Sequence, residues 1–371
     1  MPREFCQKCG KNPSYEQIRV IENGVAKELS LCMVCAYPEK KMTTSPIEGA
    51  RVLVTGGTGF LGNYVMEILR ERGATPISVS KSQGYDLRSE AETLQAFLAI
   101  QPDFVVHLAA LCGGIGANMA SPGRFFRENM QMGMNVVHAT AVAGKKLVAV
   151  GSVCSYPKNT KSPFKEEDYW NGYPEETNAP YGIAKKALGV MMEGYRKEFG
   201  LRYAYLIPAN LYGPLDHFDA EKSHVIPAMI RKFVEAKVKG APEVVCWGTG
   251  KPTRSFLFAA DAAEAIVRAT YALDTDQIVN LPGKEEISMA ALARMISDIV
   301  DYKGKIRWNA EAPDGQPKRF IDGTRAKEKL GWEPTTDLEA GLRVTVEWYL
   351  SQLGPRGPEG VSGPQAVAAK A

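Results

Sequence analysis

Apolar runs alternate with amphipathic stretches along residues 50 to 150. The runs VLV, PISVS, FVVHLAA and KLVAV predict buried strands, and stretches such as SEAETLQAFLAI between them predict helices. This alternation is typical of a parallel, doubly wound α/β sheet with right-handed crossovers. After residue 205 the strict alternation ends. We expect a smaller lobe there, mainly from residues 213–245 and 283–335, with VVCWG and QIVNLPG returning to the sheet.

A glycine-rich turn joins the first predicted strand to its helix. Gly56, Gly59 and Gly62 form G-x-x-G-x-x-G between VLV and an amphipathic stretch. Glycines at these places permit a tight turn and close approach of a pyrophosphate to the helix N-terminus. The pattern predicts a dinucleotide site, and a glycine-rich turn without a ligand is the alternative.

The segment after the second predicted strand bears on the choice of dinucleotide. Ser80 and Lys81 stand where an acidic residue would bind a ribose hydroxyl and repel a 2′-phosphate. Their presence favours NADP over NAD. Asp86, further along, suits a contact with adenine.

Tyr181 and Lys185 form a Y-x-x-x-K pair on a predicted helix. The i, i+4 spacing puts both side chains on one helix face. We expect the ammonium to lower the pKa of the phenol, so that the pair can move a proton on or off a carbonyl or hydroxyl oxygen. Ser152, just after KLVAV, is placed to hydrogen-bond the same oxygen.

Cys154 follows Ser152 by two residues and allows two interpretations. Free cysteine is commonly a buried packing residue, but a cysteine beside a reaction centre can also transfer protons. Cys112 and Cys246 are expected to pack or to line the site.

The first 35 residues contain two C-x2-C pairs. Their members are Cys6, Cys9, Cys32 and Cys35. Asn23-Gly24 between two strand-like runs predicts a hairpin that would bring the pairs together, and four thiolates then form a tetrahedral site. The module is too small to bury much core, so a metal would supply the missing folding energy. We predict structural zinc, because a reducing compartment argues against two disulfides and the motif favours zinc over a rubredoxin-like iron site. Its pattern resembles the zinc ribbons of some bacterial regulatory proteins.

Composition and charge limit the partners and the compartment that we expect. The chain has 371 residues, 45% hydrophobic and 23% charged, with a net charge of +3. That charge does not indicate nucleic acid or an anionic membrane as partner. No secretory signal or membrane-length apolar run is seen, so we expect a cytoplasmic protein with reduced thiols. We divide the chain into a zinc-ribbon-like module at 1–37, a linker at 38–49, one domain at 50–350 and a disordered tail at 351–371.

Several motifs together resemble a known family. HLAALCGGIGANMASPGRFFRENM, GSVCSYPK, APYGIAKKA, PANLYGP, SHVIPAMIRKF and VVCWGTGKPTRSFLF are similar to segments of the GDP-L-fucose synthases, which are extended short-chain dehydrogenase/reductases. The resemblance runs from about residue 50 to 350. It implies a Rossmann-type sheet with a C-terminal substrate lobe, and a homodimer. It also implies NADPH-dependent epimerisation and reduction of a GDP-linked 4-keto-6-deoxyhexose.

The resemblance assigns roles residue by residue. Ser152, Tyr181 and Lys185 match the reduction set, Cys154 the epimerisation base and His224 its partner acid. The residues assigned to the sugar nucleotide are Asn210, His224, Lys232, Trp247 and Arg254. The residues assigned to NADP(H) are Gly56, Thr58, Gly59, Phe60, Leu61, Gly62, Ser80, Lys81, Asp86, Leu87, Leu108, Ala109, Ala110, Tyr181, Lys185, Pro208, Asn210 and Leu211. The family carries two arginines where this chain has Arg231 and Lys232, and a lysine cannot make a bidentate contact with phosphate.

Other functions fit parts of the same pattern. The chain could reduce or epimerise a different nucleotide-linked 4-keto hexose or heptose. A nucleotide or redox sensor, with the zinc ribbon as an interaction module for a protein partner, is a separate class. The intact Ser-Tyr-Lys set argues against a sensor, which would be free to lose it. His224 could also be a structural histidine.

Overall fold

The computed structural model describes the backbone of residues 16–22 and 25–31 and the chain over residues 45–219, 223–312 and 314–353. The strands are β1 (Glu16–Glu22), β2 (Val25–Leu31), β3 (Arg51–Thr55), β4 (Thr75–Val79), β5 (Phe104–His107), β6 (Lys146–Val150), β7 (Arg202–Pro208), β8 (Asn210–Tyr212), β9 (Glu243–Trp247), β10 (Thr253–Phe258), β11 (Ile278–Leu281), β12 (Glu286–Ser288), β13 (Lys305–Asn309) and β14 (Lys318–Arg319). The helices are α1 (Phe60–Glu71), α2 (Glu90–Ile100), α3 (Ile115–Ala120), α4 (Pro122–Val142), α5 (Ala179–Phe199), α6 (Val225–Lys239), α7 (Ala259–Ala272), α8 (Met289–Val300), α9 (Thr324–Leu330) and α10 (Leu338–Gln352).

A six-stranded parallel sheet forms the centre of the fold, in the order β11-β7-β6-β5-β3-β4. Its strands are apolar because helices cover both faces, and all five residues of β6 are buried. The predicted doubly wound sheet is therefore confirmed. The order reverses direction at β3, so the carboxyl ends of β3, β5 and β6 border one crevice.

A second, smaller sheet lies beyond β7. We call it the lobe sheet: β10 is at its centre, flanked by β12 and β14, and β8 also pairs with β10. A separate core of buried apolar residues packs here, drawn from α6, α8 and α10 among others. By contrast, α9 contributes Ala326 and Leu330 to the core of the main sheet.

The predicted return of VVCWG to the main sheet is wrong. This segment is β9, and it pairs in parallel with β13 outside the main sheet. Only Val244 and Cys246 of β9 are buried, which suits a strand with one face on the lobe core and the other toward solvent. The predicted return of QIVNLPG is confirmed, since β11 pairs with β7.

The N-terminal strands β1 and β2 pair antiparallel, with Glu22 opposite Val25, as the predicted hairpin requires. The predicted start of the disordered tail at residue 351 is wrong, because Ser351 and Gln352 still belong to α10. The four N-terminal cysteines and residues 354–371 lie outside the described residues. Among the helices that the structure describes, none has both the length and the apolar character needed to span a membrane.

Candidate active site

The glycine-rich turn after β3 is shaped to admit a ligand at the start of α1. Gly56 has a left-handed backbone (φ 71°), and a Cβ there would lie 3.0 Å from the backbone of Ala109. A Cβ on Gly62 would lie 2.1 Å from the carbonyl oxygen of Gly56, so only glycine lets α1 approach the turn this closely. The first amides of α1 have no partners within the helix and can bind a phosphate. These residues fit a dinucleotide.

The ends of β3 and β5 are locked together beside this turn. The Thr55 hydroxyl lies 2.8 Å from Nδ1 of His107. The amides of Leu108 and Ala109 both donate to the same Thr55 hydroxyl at 3.2 Å. Burial, with a smaller effect of Lys185, lowers the pKa of His107 to about 3, so its ring is neutral. His107 is a structural residue that holds the chain where Leu108, Ala109 and Ala110 border the cofactor crevice.

The remaining predicted cofactor residues also lie at or just beyond carboxyl ends of parallel strands. Ser80 and Lys81 follow β4 at the surface, and Pro208, Asn210 and Leu211 stand at the end of β7 and in β8. Asp86 is paired with Arg88, whose hydrogen bonds lower the pKa of the carboxyl to about 2. No ordinary pH would remove the negative charge at this position.

Cys154 lies in a short 3-10 turn, Val153–Ser155, just after β6, and Ser152 caps the start of this turn. The amide of Cys154 donates to the Ser152 hydroxyl at 3.1 Å, and the Ser155 hydroxyl donates to the carbonyl of Gly182 at 2.9 Å. A Cβ on Gly182 would lie 2.6 Å from the carbonyl oxygen of Cys154. The first turn of α5 therefore packs backbone against backbone on the turn that carries both side chains.

Tyr181 and Lys185 enter the site from the same end of α5. Lys185 is buried and donates to the carbonyl of Val150, at the end of β6, at 3.0 Å. The predicted lowering of the Tyr181 pKa by Lys185 is wrong. Burial, and then the neighbouring Cys112, raises the pKa of Tyr181 well above its usual value, while Ser152 opposes that rise. The phenol therefore keeps its proton at neutral pH and is suited to be an acid.

Cys112 is closer to the reaction centre than the sequence indicated. Its thiol lies 3.6 Å from the hydroxyl of Tyr181 and is exposed in the cleft. The position just beyond β5 was the available signal, since carboxyl ends of parallel strands meet at one edge. Cys246, in contrast, is 2% exposed and packs in the lobe core, as predicted.

Cys154 has a cationic neighbour that sequence reasoning missed. Nη1 of Arg319, in β14, lies 3.4 Å from the sulfur of Cys154. Arg254, a predicted substrate residue, sits opposite Arg319 in the parallel pairing of β10 with β14. Burial and the adjacent Arg319 lower the pKa of Arg254 to about 10, while Cys154 acts in the opposite direction. The sulfur of Cys154 thus lies against Arg319 of the lobe sheet, whose neighbour in the sheet is Arg254.

His224 lies at the N-terminus of α6, across the cleft loop from β5. A Cβ on Gly114 would lie 2.9 Å from the carbonyl oxygen of Ser223, so the two loops are in close contact. Although the ring keeps exposed surface, the surrounding protein and then His217 lower the pKa of His224. Within the described chain His224 makes no hydrogen bond to Cys154 or Tyr181, so the structure brings it to the cleft without joining it to them.

Lys232 and Trp247 form an exposed pair on the lobe. The Lys232 ammonium lies 5.9 Å from the centre of the Trp247 ring and donates to the carbonyl of Val245 at 3.2 Å. Arg231, in contrast, is engaged by Glu235 and by the carbonyl of Phe218. Of the two basic residues in IRKF, Lys232 is therefore the one near a predicted substrate residue.

Comparison with known proteins gives a consistent result. A model of the NAD dependent epimerase/dehydratase family matches residues 52–281. GDP-L-fucose synthase 1 of Arabidopsis thaliana is 37% identical over 307 residues, covering 82% of this chain and 95% of the plant protein.

Two solved structures share the fold over most of the chain. A GDP-6-OMe-4-keto-L-xylo-heptose reductase from C. jejuni matches with a TM-score of 0.78 at 28% identity, covering 84% of this chain and 99% of the reductase. A GDP-L-fucose synthetase from Naegleria fowleri bound to NADP matches with a TM-score of 0.74 at 28% identity, covering 82% and 95%.

The contact between α5 and the Cys154 turn predicts opposite effects for two substitutions in one helix. Gly182→Ala should lower the free energy of unfolding by about 1–3 kcal/mol, because the new methyl group meets the backbone of Cys154. Gly194→Ala, where a Cβ meets open space, should raise it by up to about 1 kcal/mol through helix propensity. Urea denaturation of both variants measures this, and equal stabilisation by the two would contradict the packing.

Proposed function

We propose that this chain, which belongs to the GDP-L-fucose synthase family within the NAD dependent epimerases/dehydratases, inverts carbons beside the ketone of a GDP-4-keto-6-deoxyhexose and reduces that ketone with NADPH. The observation that supports it most directly is the turn after β6. Ser152 and Cys154 project there beside Tyr181, so a hydroxyl, a phenol and a thiol meet at one place. Reduction alone would require no thiol.

The inversion follows from the acidity of carbons next to a ketone. When a base removes such a proton, negative charge develops on the ketone oxygen, which Tyr181 and Ser152 are placed to hydrogen-bond. Cys154 takes the proton on one side, and His224 returns one from the other side. The lowered pKa of His224 makes its imidazolium a stronger acid and also leaves less of the ring protonated at neutral pH.

The reduction requires a proton donor at the ketone oxygen. NADPH, when bound along the glycine-rich turn, supplies the hydride. Tyr181 supplies the proton, which its raised pKa keeps on the phenol until charge develops on the oxygen. Lys185 holds the end of β6 through Val150 and so fixes Ser152 relative to Tyr181.

On the lobe, Asn210, Lys232, Trp247 and Arg254 are proposed to bind the nucleotide sugar. The Trp247 indole offers an exposed flat surface, and the adjacent ammonium of Lys232 offers one charge to a diphosphate. The lysine ammonium would contact the diphosphate at a single point, in place of the bidentate contact that an arginine makes.

A second candidate is reduction of another GDP-linked 4-keto sugar without inversion. The fold match to the heptose reductase favours it. The two candidates differ in whether Cys154 transfers protons to and from carbon.

A substrate panel distinguishes these functions. With NADPH we expect oxidation on addition of GDP-4-keto-6-deoxymannose, and little with UDP- or dTDP-linked 4-keto sugars. Turnover should be faster with NADPH than with NADH, because Ser80 and Lys81 leave room and charge for a 2′-phosphate. Preferred turnover of a GDP-4-keto heptose would favour the second candidate, and no turnover of any keto sugar would overturn both.

Cys154→Ser separates inversion from reduction. The variant should still oxidise NADPH with a 4-keto sugar but should lose deuterium incorporation at C3 and C5 in D2O, measured by mass spectrometry. Cys246→Ala, in the lobe core away from Tyr181, is the matched control and should retain incorporation. Full incorporation in Cys154→Ser would return Cys154 to a packing role.

We also propose that Cys6, Cys9, Cys32 and Cys35 bind one structural zinc ion that can present a docking module to a protein partner. The support is the motif, two C-x2-C pairs on either side of paired strands. Elemental analysis of the purified chain should find about one zinc per chain. Cys6→Ser with Cys9→Ser should remove it, and an unchanged metal content in that variant would contradict the assignment.

A cytoplasmic homodimer is the assembly we propose. Apolar side chains on the neighbouring helices α4 and α5 are exposed, including Phe126, Met134 and Val142 on α4 and Val190 and Phe199 on α5. A surface of this kind is typical of an interface between copies.

A further inference from the structure

Arg319 is a buried cation without a carboxylate partner among the described residues. Arg319 is 8% exposed, and its side chain donates to the Gln316 amide oxygen and to the sulfur of Cys154. A guanidinium stays charged at any physiological pH. Burying that charge is costly unless an anion lies near it.

The cost is increased by a second arginine. Arg254 lies directly opposite Arg319 across the pairing of β10 with β14. Two positive charges are therefore adjacent where the protein partly excludes water. Arg254 donates to the backbone carbonyls of Thr253 and Asp314, so its own guanidinium is turned to carbonyl oxygens. Arg319 is the arginine whose guanidinium contacts the sulfur of Cys154.

The side chain of Arg319 is held in this direction by a buried amide. Gln316 accepts from Nε of Arg319 at 2.9 Å and donates to the carbonyl of Lys158 at 2.9 Å. Lys158 follows the turn that carries Ser152 and Cys154. Gln316 thus ties the guanidinium to the same segment that carries the thiol, which fixes their separation.

We propose that Arg319 is the positioning residue that holds Cys154 as a thiolate, ready to remove a proton from a carbon beside the ketone. In that step the C–H bond breaks and an S–H bond forms, while the electron pair moves to the ketone oxygen near Tyr181. This rests on the proposed function for the identity of the carbon acid, but the contact between the guanidinium and the sulfur is present in the chain without substrate.

The groups facing Cys154 determine how its charge responds to pH. The guanidinium of Arg319 on β14 lies against the sulfur of Cys154, and Arg254 on β10 and the phenol of Tyr181 on α5 are its other neighbours. A guanidinium does not lose its proton near neutral pH. A loss of thiolate on acidification therefore reports protonation of the sulfur itself.

The test measures alkylation of Cys154 by iodoacetamide in the full chain as a function of pH, with peptide mass spectrometry to isolate this cysteine. Only the thiolate reacts, so the midpoint of the profile reports the thiol–thiolate equilibrium. Arg319→Met should move the midpoint up by about 1 to 2 pH units. Arg319→Lys should restore most of the difference, and the exposed Arg307→Met is the matched control for loss of one positive charge.

Gln316→Glu keeps Arg319 packed but places a carboxylate on Nε, and it should also move the midpoint upward. This second variant keeps the test decisive if Arg319→Met fails to fold. A midpoint unchanged in either folded variant would overturn the proposal. If Arg319 served only a substrate diphosphate, Arg319→Met would raise KM and leave the alkylation profile in place, which also overturns it.

The outcome is separable from that of the proposed function, because alkylation needs no sugar. An upward shift together with no turnover on the substrate panel would retain the thiolate pair and reject the reaction. Turnover with deuterium incorporation and no shift would retain the reaction and reject Arg319 as its positioning residue.

Discussion

The candidate site depends on the direct contact between the first turn of α5 and the turn that follows β6. A side chain at Gly182 would collide with the carbonyl of Cys154, so the two backbones meet only because that position has none. The contact places a helix bearing Tyr181 and Lys185 against a strand end bearing Ser152 and Cys154. Lys185 adds a second tie between helix and strand by donating a hydrogen bond to the carbonyl oxygen of Val150. Four groups from two elements are thus positioned by one packing constraint.

Burial then divides these groups by charge. It raises the pKa of Tyr181 and lowers the pKa of Lys185, so the main-sheet side of the site favours neutral forms of both. His107, behind them, is neutral as well. The permanent charges come from the other side, where Arg254 and Arg319 project from the lobe sheet. The site therefore has a neutral proton donor on one side and two cations on the other. This distribution of charge suits a reaction in which negative charge forms and then disappears on a single oxygen.

Much of this arrangement could be predicted from the sequence, because it rests on local patterns. The glycine-rich turn and the Y-x-x-x-K pair are set by neighbouring residues and by strands buried on both faces. The direction of the Tyr181 pKa could not be predicted, since it depends on how deeply the phenol is buried and on Cys112, far away in the chain. Arg319 was missed for a related reason. It stands in a two-residue strand with no periodicity, and only the tertiary pairing of β14 with β10 brings it to Cys154. The error over VVCWG has the same origin, because an apolar run does not specify which strand it pairs with.

The candidate site is divided between the main sheet and the lobe sheet, and this division separates the groups proposed for reduction from those proposed for inversion. In the proposed mechanism Ser152, Tyr181 and Lys185 serve the reduction, and they belong to the main sheet and α5, so ketone reduction would need little from the lobe beyond binding of the sugar nucleotide. The groups that act on Cys154 come from β10 and β14 of the lobe sheet, and His224 begins a helix whose buried face packs in the lobe core. Under the proposed mechanism, inversion therefore requires the lobe and the main sheet to be held in register, whereas reduction does not. Under this mechanism a chain of this fold could lose inversion through changes in the lobe alone and still reduce its ketone.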